Sequence, residues 1–171
     1  IVLALNDTSG AFQGELSPVA RLLDELALRH GLLILLSTGN VDEPLELPME
    51  PGQLYALQRS PEGLKQATLR QLFDDSARYR LQGPGEALNA LTIGSLNADA
   101  APMDTAGYRY DLLQEAPLAS PLSRQGPGYR TAVKPDLLLP GGRQLFTDQF
   151  FLEANRLLLA PAPASRGKIR P

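Results

Sequence analysis

The stretch SPVARLLDELALRHGLLILLSTGN, residues 17–40, decides the fold class. Ser17 is a common helix cap and Pro18 fits the first turn of a helix, so a helix is predicted to begin there. Apolar residues recur behind it at helical spacing, and Gly31 stands where a helix usually ends. The run Leu32–Leu36 then has the length and composition of a buried strand.

The residues before this helix predict another strand. Ile1–Leu5 are apolar from the first position, which indicates a buried strand, so we expect the chain to begin inside a domain. Residues 1–40 thus contain a strand, a helix and a strand, and the two strands of such a βαβ unit run parallel. The sequence therefore predicts an α/β fold.

Irregular and regular segments alternate after this unit. The acidic stretch Val41–Arg59 contains three prolines, which oppose a regular helix, so a long loop is predicted there. A second amphipathic helix is predicted from Ser60 to about Arg80, followed by a strand over Ala90–Leu96. The small and polar residues 97–117 are typical of a surface insertion.

Short strands are predicted in the last third of the chain. Leu137–Leu139 and Gln144–Phe146 flank a turn at Pro140–Gly142, and Phe150–Leu159 can form one or two strands. With 171 residues, 43% of them hydrophobic, the chain is long enough for one core and is predicted to form a single domain.

Composition excludes several classes of function. Cysteine is absent, which excludes disulfides, thiolate zinc sites and cysteine nucleophiles. The net charge is −3, and the basic residues Arg166, Lys168 and Arg170 are predicted to be a solvated tail, so nucleic acid is not an expected partner. No apolar run reaches the roughly 20 residues that span a bilayer and no secretory leader is recognised, so a soluble chain without a membrane partner is predicted. The compartment stays undetermined.

Two polar residues decide what chemistry the predicted sheet can hold. His30 is the one histidine and precedes the second strand, whereas ligands gather at the carboxyl ends of parallel strands, so a structural role is predicted and no Ser-His-Asp triad can form within the chain. Asn40 does follow the carboxyl end of that strand, behind Ser37, Thr38 and Gly39. That place suits an oxyanion donor, although on position alone a simple turn is the favoured interpretation.

The acidic residues do not predict a metal site. The carboxylates of residues 42–50 lack the spacing of a calcium-binding loop, so a solvated loop is favoured. Asp74 and Asp75 are neighbours on the second helix and point about 100° apart, so they do not converge for acid–base catalysis. No cofactor is predicted from these residues.

Four segments, taken in order, resemble the middle of the subtilase family, the subtilisin-like serine proteases. Residues 5–10, LNDTSG, are similar to the family's Asn-x-Ser-Leu-Gly strand, and residues 32–40 to its apolar strand that ends in Ala-Gly-Asn. Residues 89–95, NALTIGS, are similar to the next strand, Ala-Ile-x-Val-Gly-Ala. The fourth block combines SPLSRQGP at 120–127 with KPD at 134–136 and PGG at 140–142, and resembles Phe-Ser-x-x-Gly-Pro, Lys-Pro-Asp and Ala-Pro-Gly.

The resemblance implies a fold and a site. It implies a three-layer α/β fold with a mostly parallel sheet and flanking helices, a partial subtilisin-like fold over residues 1–171 with excursions at about 41–60 and 97–117. Asn40 would be the catalytic oxyanion donor. Thr8, Ser9 and Gly10 would line the substrate channel, and Ser37, Thr38 and Gly39 would wall the pocket for the residue before the scissile bond.

The same resemblance implies that the active site is incomplete in this chain. The family's aspartate and histidine motifs would precede Ile1 and its Gly-Thr-Ser motif would follow Pro171, so the chain alone is expected to be inactive. A polypeptide would be the substrate, no cofactor is implied beyond a structural calcium elsewhere in the parent protein, and the sheet edges could support self-association. The alternative is a noncatalytic α/β binding or scaffold module that keeps a subtilase-like core.

Overall fold

The structure is a computed structural model that describes residues 1–47, 49, 51–98, 109–113, 116–149 and 157–161. Within these residues the helices are α1 (Pro18–His30), α2 (Pro51–Gln58) and α3 (Pro61–Asp74), with a short 3-10 turn at Tyr129–Thr131. The strands are β1 (Val2–Leu3), β2 (Leu35–Ser37), β3 (Leu45–Leu47), β4 (Leu91–Leu96), β5 (Arg109–Tyr110), β6 (Gly126–Pro127), β7 (Val133–Lys134), β8 (Leu137–Pro140), β9 (Phe146–Gln149) and β10 (Leu157–Pro161).

A parallel four-stranded sheet forms the centre of the fold. Its strand order is β1-β2-β4-β8, and Leu35 of β2 pairs with Val2 on one side and Leu91 on the other. All three strand pairs are parallel, as the βαβ pattern predicts. The predicted three-layer α/β fold, with a mostly parallel sheet and flanking helices, is confirmed.

Helix α1 begins and ends where its sequence predicts. The Ser17 hydroxyl accepts a hydrogen bond from the Ala20 amide at 3.2 Å, and Gly31 adopts the left-handed conformation that ends the helix. Its inner face packs against β2 and the segment before β4, in a core formed by Ala20, Leu23, Ala27, Ile34, Leu36, Ala87 and Ala90. This packing holds the sheet in a fixed position under the loops at its carboxyl edge.

A second, antiparallel sheet was not predicted. Its strand order is β3-β10-β9-β5, and its strands come from four separate parts of the chain. Helix α3 packs beside it, around a second core of Leu45, Leu47, Met49, Leu64, Leu112 and Phe146. The described residues therefore form two cores, one beside each four-stranded sheet.

The prediction of a loop over residues 41–59 was wrong in part. Residues 45–47 form β3, and α2 begins at Pro51. A proline in the first turn loses no helical hydrogen bond because the first amides of a helix have no partner in any case. The second predicted helix also ends earlier than expected, since α3 stops at Asp74 and turns follow to Tyr79.

Two predictions of burial were also wrong. The strand at the start of the chain is the sheet's edge, and Ile1 is 61% exposed and Val2 73%. In the predicted surface insertion, Leu112 and Leu113 are buried, and Leu112 belongs to the second core. Residues 99–108, 114–115 and the predicted basic tail lie outside the described residues.

Candidate functional site

Asn40 stands on a loop that leaves the carboxyl end of β2. Thr38 and Gly39 are buried, whereas Asn40 is exposed and its backbone is bridged to Ser123. The Asn40 side chain forms no hydrogen bond with the described residues, so its amide is available to a ligand. A central parallel strand thus delivers one free amide donor to the edge where such sheets bind ligands.

Two of the predicted site segments are tied together directly. The Asn6 side-chain amide donates to the Ser37 carbonyl at 3.1 Å, and the Ser37 hydroxyl donates to the Asn6 side-chain oxygen at 2.5 Å. Residues 8–10 therefore leave a point that is fixed to the end of β2. The sequence analysis predicted that both segments belong to one site, and the structure brings them together.

The segment 81–83 lies against both of these site segments. The Asp7 amide donates to the Gly83 carbonyl at 2.7 Å and the Phe12 amide to the Leu81 carbonyl at 2.7 Å. On the other side, the Gln82 amide donates to the Thr38 carbonyl at 3.4 Å. Sequence reasoning did not identify Gln82, because about 40 residues separate it from the Asn40 loop and no local pattern marks it.

Thr8, Ser9 and Gly10 are exposed, and Thr8 and Ser9 form a turn instead of a strand. The Ser9 amide donates to the Asp7 carboxylate at 2.9 Å. The side-chain and backbone hydrogen bonds from Ser9 hold the pKa of the Asp7 carboxyl below its usual value. The carboxylate therefore stays ionised and keeps the turn closed over the ordinary pH range.

Two buried hydroxyl groups connect the Asn40 loop to the neighbouring strand β4. Thr38 Oγ1 lies 3.2 Å from Ser123 Oγ, and both residues are buried. Ser123 Oγ accepts a hydrogen bond from the Ser95 amide at 3.2 Å. The loop at Asn40 is therefore attached to β4 through a side chain from the segment 120–127.

Arg124 makes two hydrogen bonds to the Asn40 loop and two to the segment after α3. Its guanidinium donates to the carbonyls of Asn40, Arg78 and Arg80 at 2.9, 3.0 and 3.1 Å. Its own amide donates to the Gly39 carbonyl at 3.1 Å. Arg124 could not be identified from the sequence, because its contacts join segments that are distant in the chain.

Gly39 is enclosed by the neighbouring side chains. Its φ is +87°, a backbone conformation that residues other than glycine rarely adopt. A Cβ at this position would lie 2.6 Å from Gln82 Oε1 and 3.1 Å from Arg124 Cδ. The backbone angle therefore favours glycine before Asn40, and a larger residue there would also displace the side chains of Gln82 and Arg124.

The other charged residues considered from sequence lie elsewhere. His30 ends α1 and is exposed at the amino end of β2, the opposite end from Asn40. Glu43 and Asp75 both pair with Arg78, at 2.6 and 3.3 Å, so they hold the segment after α3. Among the described residues, no group of three or more histidine, aspartate or glutamate side chains could hold a metal ion.

A cleft of about 510 Å³ lies between the segment after α3 and the hairpin of β6 and β7. Tyr79 and Arg80 form part of one wall, and Gln125 and Lys134 part of the other. Burial raises the pKa of the Tyr79 phenol, and the buried Lys134 ammonium pairs with Asp136 at 2.7 Å. Sequence reasoning missed this cleft because its walls are about 50 residues apart.

None of the described helices is both long enough and apolar enough to cross a membrane.

Comparisons with known proteins identify relatives of the chain. Residues 3–165 match the model of the subtilase family. The uncharacterized protein y4bN of Sinorhizobium fredii is 32% identical over 148 residues, which covers 85% of this chain and 31% of that protein. The chain thus spans about a third of the length of this relative. No solved structure matches the chain significantly.

Proposed function

Because the chain belongs to the subtilase family, a family of serine proteases, we propose that it supplies the oxyanion-binding part of a serine endopeptidase site. In such a site a serine attacks the scissile carbonyl and forms an acyl-enzyme, and negative charge develops on the carbonyl oxygen. Asn40 would donate its side-chain amide to that oxygen. The polypeptide substrate would lie across the carboxyl edge of the parallel sheet.

The observation that carries this proposal is the contrast between the Asn40 side chain and its backbone. The side chain is exposed and unbonded within the described residues, whereas both neighbouring carbonyls are hydrogen-bonded to Arg124. An oxyanion donor stabilises the transition state best when it is already oriented before the charge develops. A free amide on a fixed backbone meets this requirement, and a simple surface turn would not need the additional contacts.

The channel would be formed by the exposed residues 8–10 together with Ser37, Thr38 and Gly39. Extended peptides bind such edges through main-chain hydrogen bonds, with side chains entering pockets between them. Thr38 and Gly39 are buried, so they would contribute backbone and shape to the pocket wall. The bonds between Asn6 and Ser37 would keep the two walls at a constant separation.

The attacking serine and its base would come from outside these 171 residues. His30 cannot serve as the base, because it lies at the opposite end of β2 from Asn40. Transition-state stabilisation by one donor then accounts for only part of the catalysis, and the chain alone would not turn over substrate.

The proposal is tested by Asn40→Ala in the full-length protein. We expect kcat to fall about 100- to 1000-fold with KM little changed, a magnitude known from the oxyanion asparagine of subtilisin itself. Asn89→Ala is the matched control, because Asn89 is also exposed but precedes β4 at the amino edge of the sheet. Unchanged turnover in Asn40→Ala would remove Asn40 from this role.

A fluorophosphonate probe separates the protease from the alternative scaffold function. The full-length protein should be labelled on one serine, and the 171-residue chain should not. Stoichiometric labelling of this chain would contradict the assignment of its residues. A full-length protein that binds peptides and resists labelling would instead support the noncatalytic module.

A further inference from the structure

Arg124 contacts the peptide groups on both sides of the Asn40 α-carbon. Its amide donates to the Gly39 carbonyl, and its Nε donates to the Asn40 carbonyl at 2.9 Å. The orientation of these two peptide groups determines the direction in which the Asn40 side chain leaves the backbone. One residue, 84 positions away in sequence, therefore fixes the direction of the Cα–Cβ bond from which the free amide extends.

Within the described residues, the Arg124 guanidinium donates hydrogen bonds to backbone carbonyls alone. It has no ion-pair partner among the described residues, and it instead donates to the carbonyls of Asn40, Arg78 and Arg80. Arginine can hold several carbonyls at once because its donors lie in one rigid plane. A lysine has a single nitrogen on a flexible stem, so it cannot reproduce this arrangement.

The contacts also connect Asn40 to the segment after α3. That segment is itself anchored, because the Arg78 side chain pairs with Glu43 and Asp75 and donates to the Pro44 carbonyl at 3.0 Å. Arg124 therefore joins the Asn40 loop to a segment that is fixed at several points. A loop attached in this way resists displacement when charge develops on a bound substrate.

We propose that Arg124 is a positioning residue that aims the Asn40 amide at the oxyanion. This inference rests on the proposed function, and it adds a residue that acts through Asn40 without touching the substrate. Its consequence is that loss of Arg124 matters to catalysis only while Asn40 is present.

The test is a double-mutant cycle in the full-length protein with Arg124→Met and Asn40→Ala. Displacement of a catalytic group by about 1 Å can cost about 100-fold in rate, so Arg124→Met is expected to lower kcat by about that factor with KM little changed. In the Asn40→Ala background the same substitution should cost less than about 3-fold, because coupled residues are not additive. An equal cost in both backgrounds would overturn the proposal.

Arg130→Met is the control for loss of an arginine from the same region. Arg130 is exposed and its guanidinium lies over the Tyr129 ring, without a described contact to the Asn40 loop. We expect kcat of Arg130→Met to equal that of the unmodified protein. A loss as large as that of Arg124→Met would show that any arginine in this region has the effect and would overturn the specific role.

A measurement independent of activity separates this inference from the proposed function. In full-length protein labelled with ¹⁵N-asparagine, the side-chain amide signal of Asn40 is identified by its disappearance in Asn40→Ala. Arg124→Met should shift or broaden that signal, whereas Arg130→Met should leave it in place. An unmoved signal in Arg124→Met refutes the positioning role, while a protein without protease activity whose signal does move refutes only the proposed function.

Discussion

Gly39 shows how tightly the residues around the free amide are packed. It combines a φ of +87° with two side chains, those of Gln82 and Arg124, that lie 2.6 and 3.1 Å from the position a Cβ would take. We expect Gly39→Ala to destabilise the protein by about 2–3 kcal/mol and to reduce activity further, because Gln82 and Arg124 must move. Unfolding in urea and a rate assay measure the two effects.

Gly14→Ala is the matched control for this substitution. Gly14 has a φ of +105°, but a Cβ there would meet nothing within 4 Å. Its cost should therefore be that of the backbone conformation alone, about 1 kcal/mol. If both variants lose the same stability, crowding at Gly39 makes no contribution.

For single residues, the sequence predicted where a residue lies on an element better than it predicted which distant residues it contacts. Asn40 could be placed at the carboxyl end of a strand because the apolar run before it is local in the chain. Arg124 and Gln82 could not be assigned, because their effect depends on contacts made across at least 40 residues and no spacing rule covers such contacts.

The docking of α1 depends on one buried carboxylate. Asp24 accepts hydrogen bonds from the amides of Leu88 and Asn89 at 3.1 and 2.6 Å, and it is only 9% exposed. We expect Asp24→Ala to cost about 2 kcal/mol, because two amides lose a charged acceptor. Glu25→Ala removes an exposed pair with Arg29 on the same helix and should cost less than about 0.5 kcal/mol. Equal losses of unfolding free energy in the two variants would show that the docking contact is unimportant.

Elements with their own end signals were the ones that the sequence predicted well. The limits of α1 follow from Ser17 and Gly31, which act within one turn of the helix. The burial of β1 was predicted wrongly, because an apolar run does not indicate whether a neighbouring strand covers it. The start of α2 was missed because Pro51 was taken as a breaker, although its position in the first turn makes it acceptable.

The antiparallel sheet is the part of the whole molecule that sequence could not predict. Its described strands have two to five residues each, too few for a clear alternating pattern, and they pair across most of the chain length. Phe146 belongs to this second core and has no exposed surface, and it ends the predicted strand Gln144–Phe146, whose pairing partners the sequence does not indicate. Pairing between distant segments, and not local preference, determines this half of the fold.

The two outer strands of the parallel sheet predict self-association of the 171-residue chain. Val2 on β1 is 73% exposed and Leu138 on β8 is 38% exposed, and the outer edge of each strand pairs with no other described strand. Unpaired strand edges pair readily with other chains. We expect Val2→Lys and Leu138→Lys to reduce the associated fraction in light scattering. Leu28→Lys adds the same charge at a site on α1 that is 76% exposed, and it should change little. An equal reduction by Leu28→Lys would mean that net charge, and not the sheet edge, controls association.

The junction of Arg124 with the segment after α3 limits how the protein can change during evolution or engineering. Residues 41–80 contain the predicted excursion at about 41–60, yet the carbonyls of Arg78 and Arg80 accept hydrogen bonds from the arginine that holds the Asn40 loop. Shortening this stretch would leave the guanidinium with unfilled donors and would loosen the asparagine. A successful exchange of segments between relatives would therefore have to transfer residues 41–80 and Arg124 as one unit.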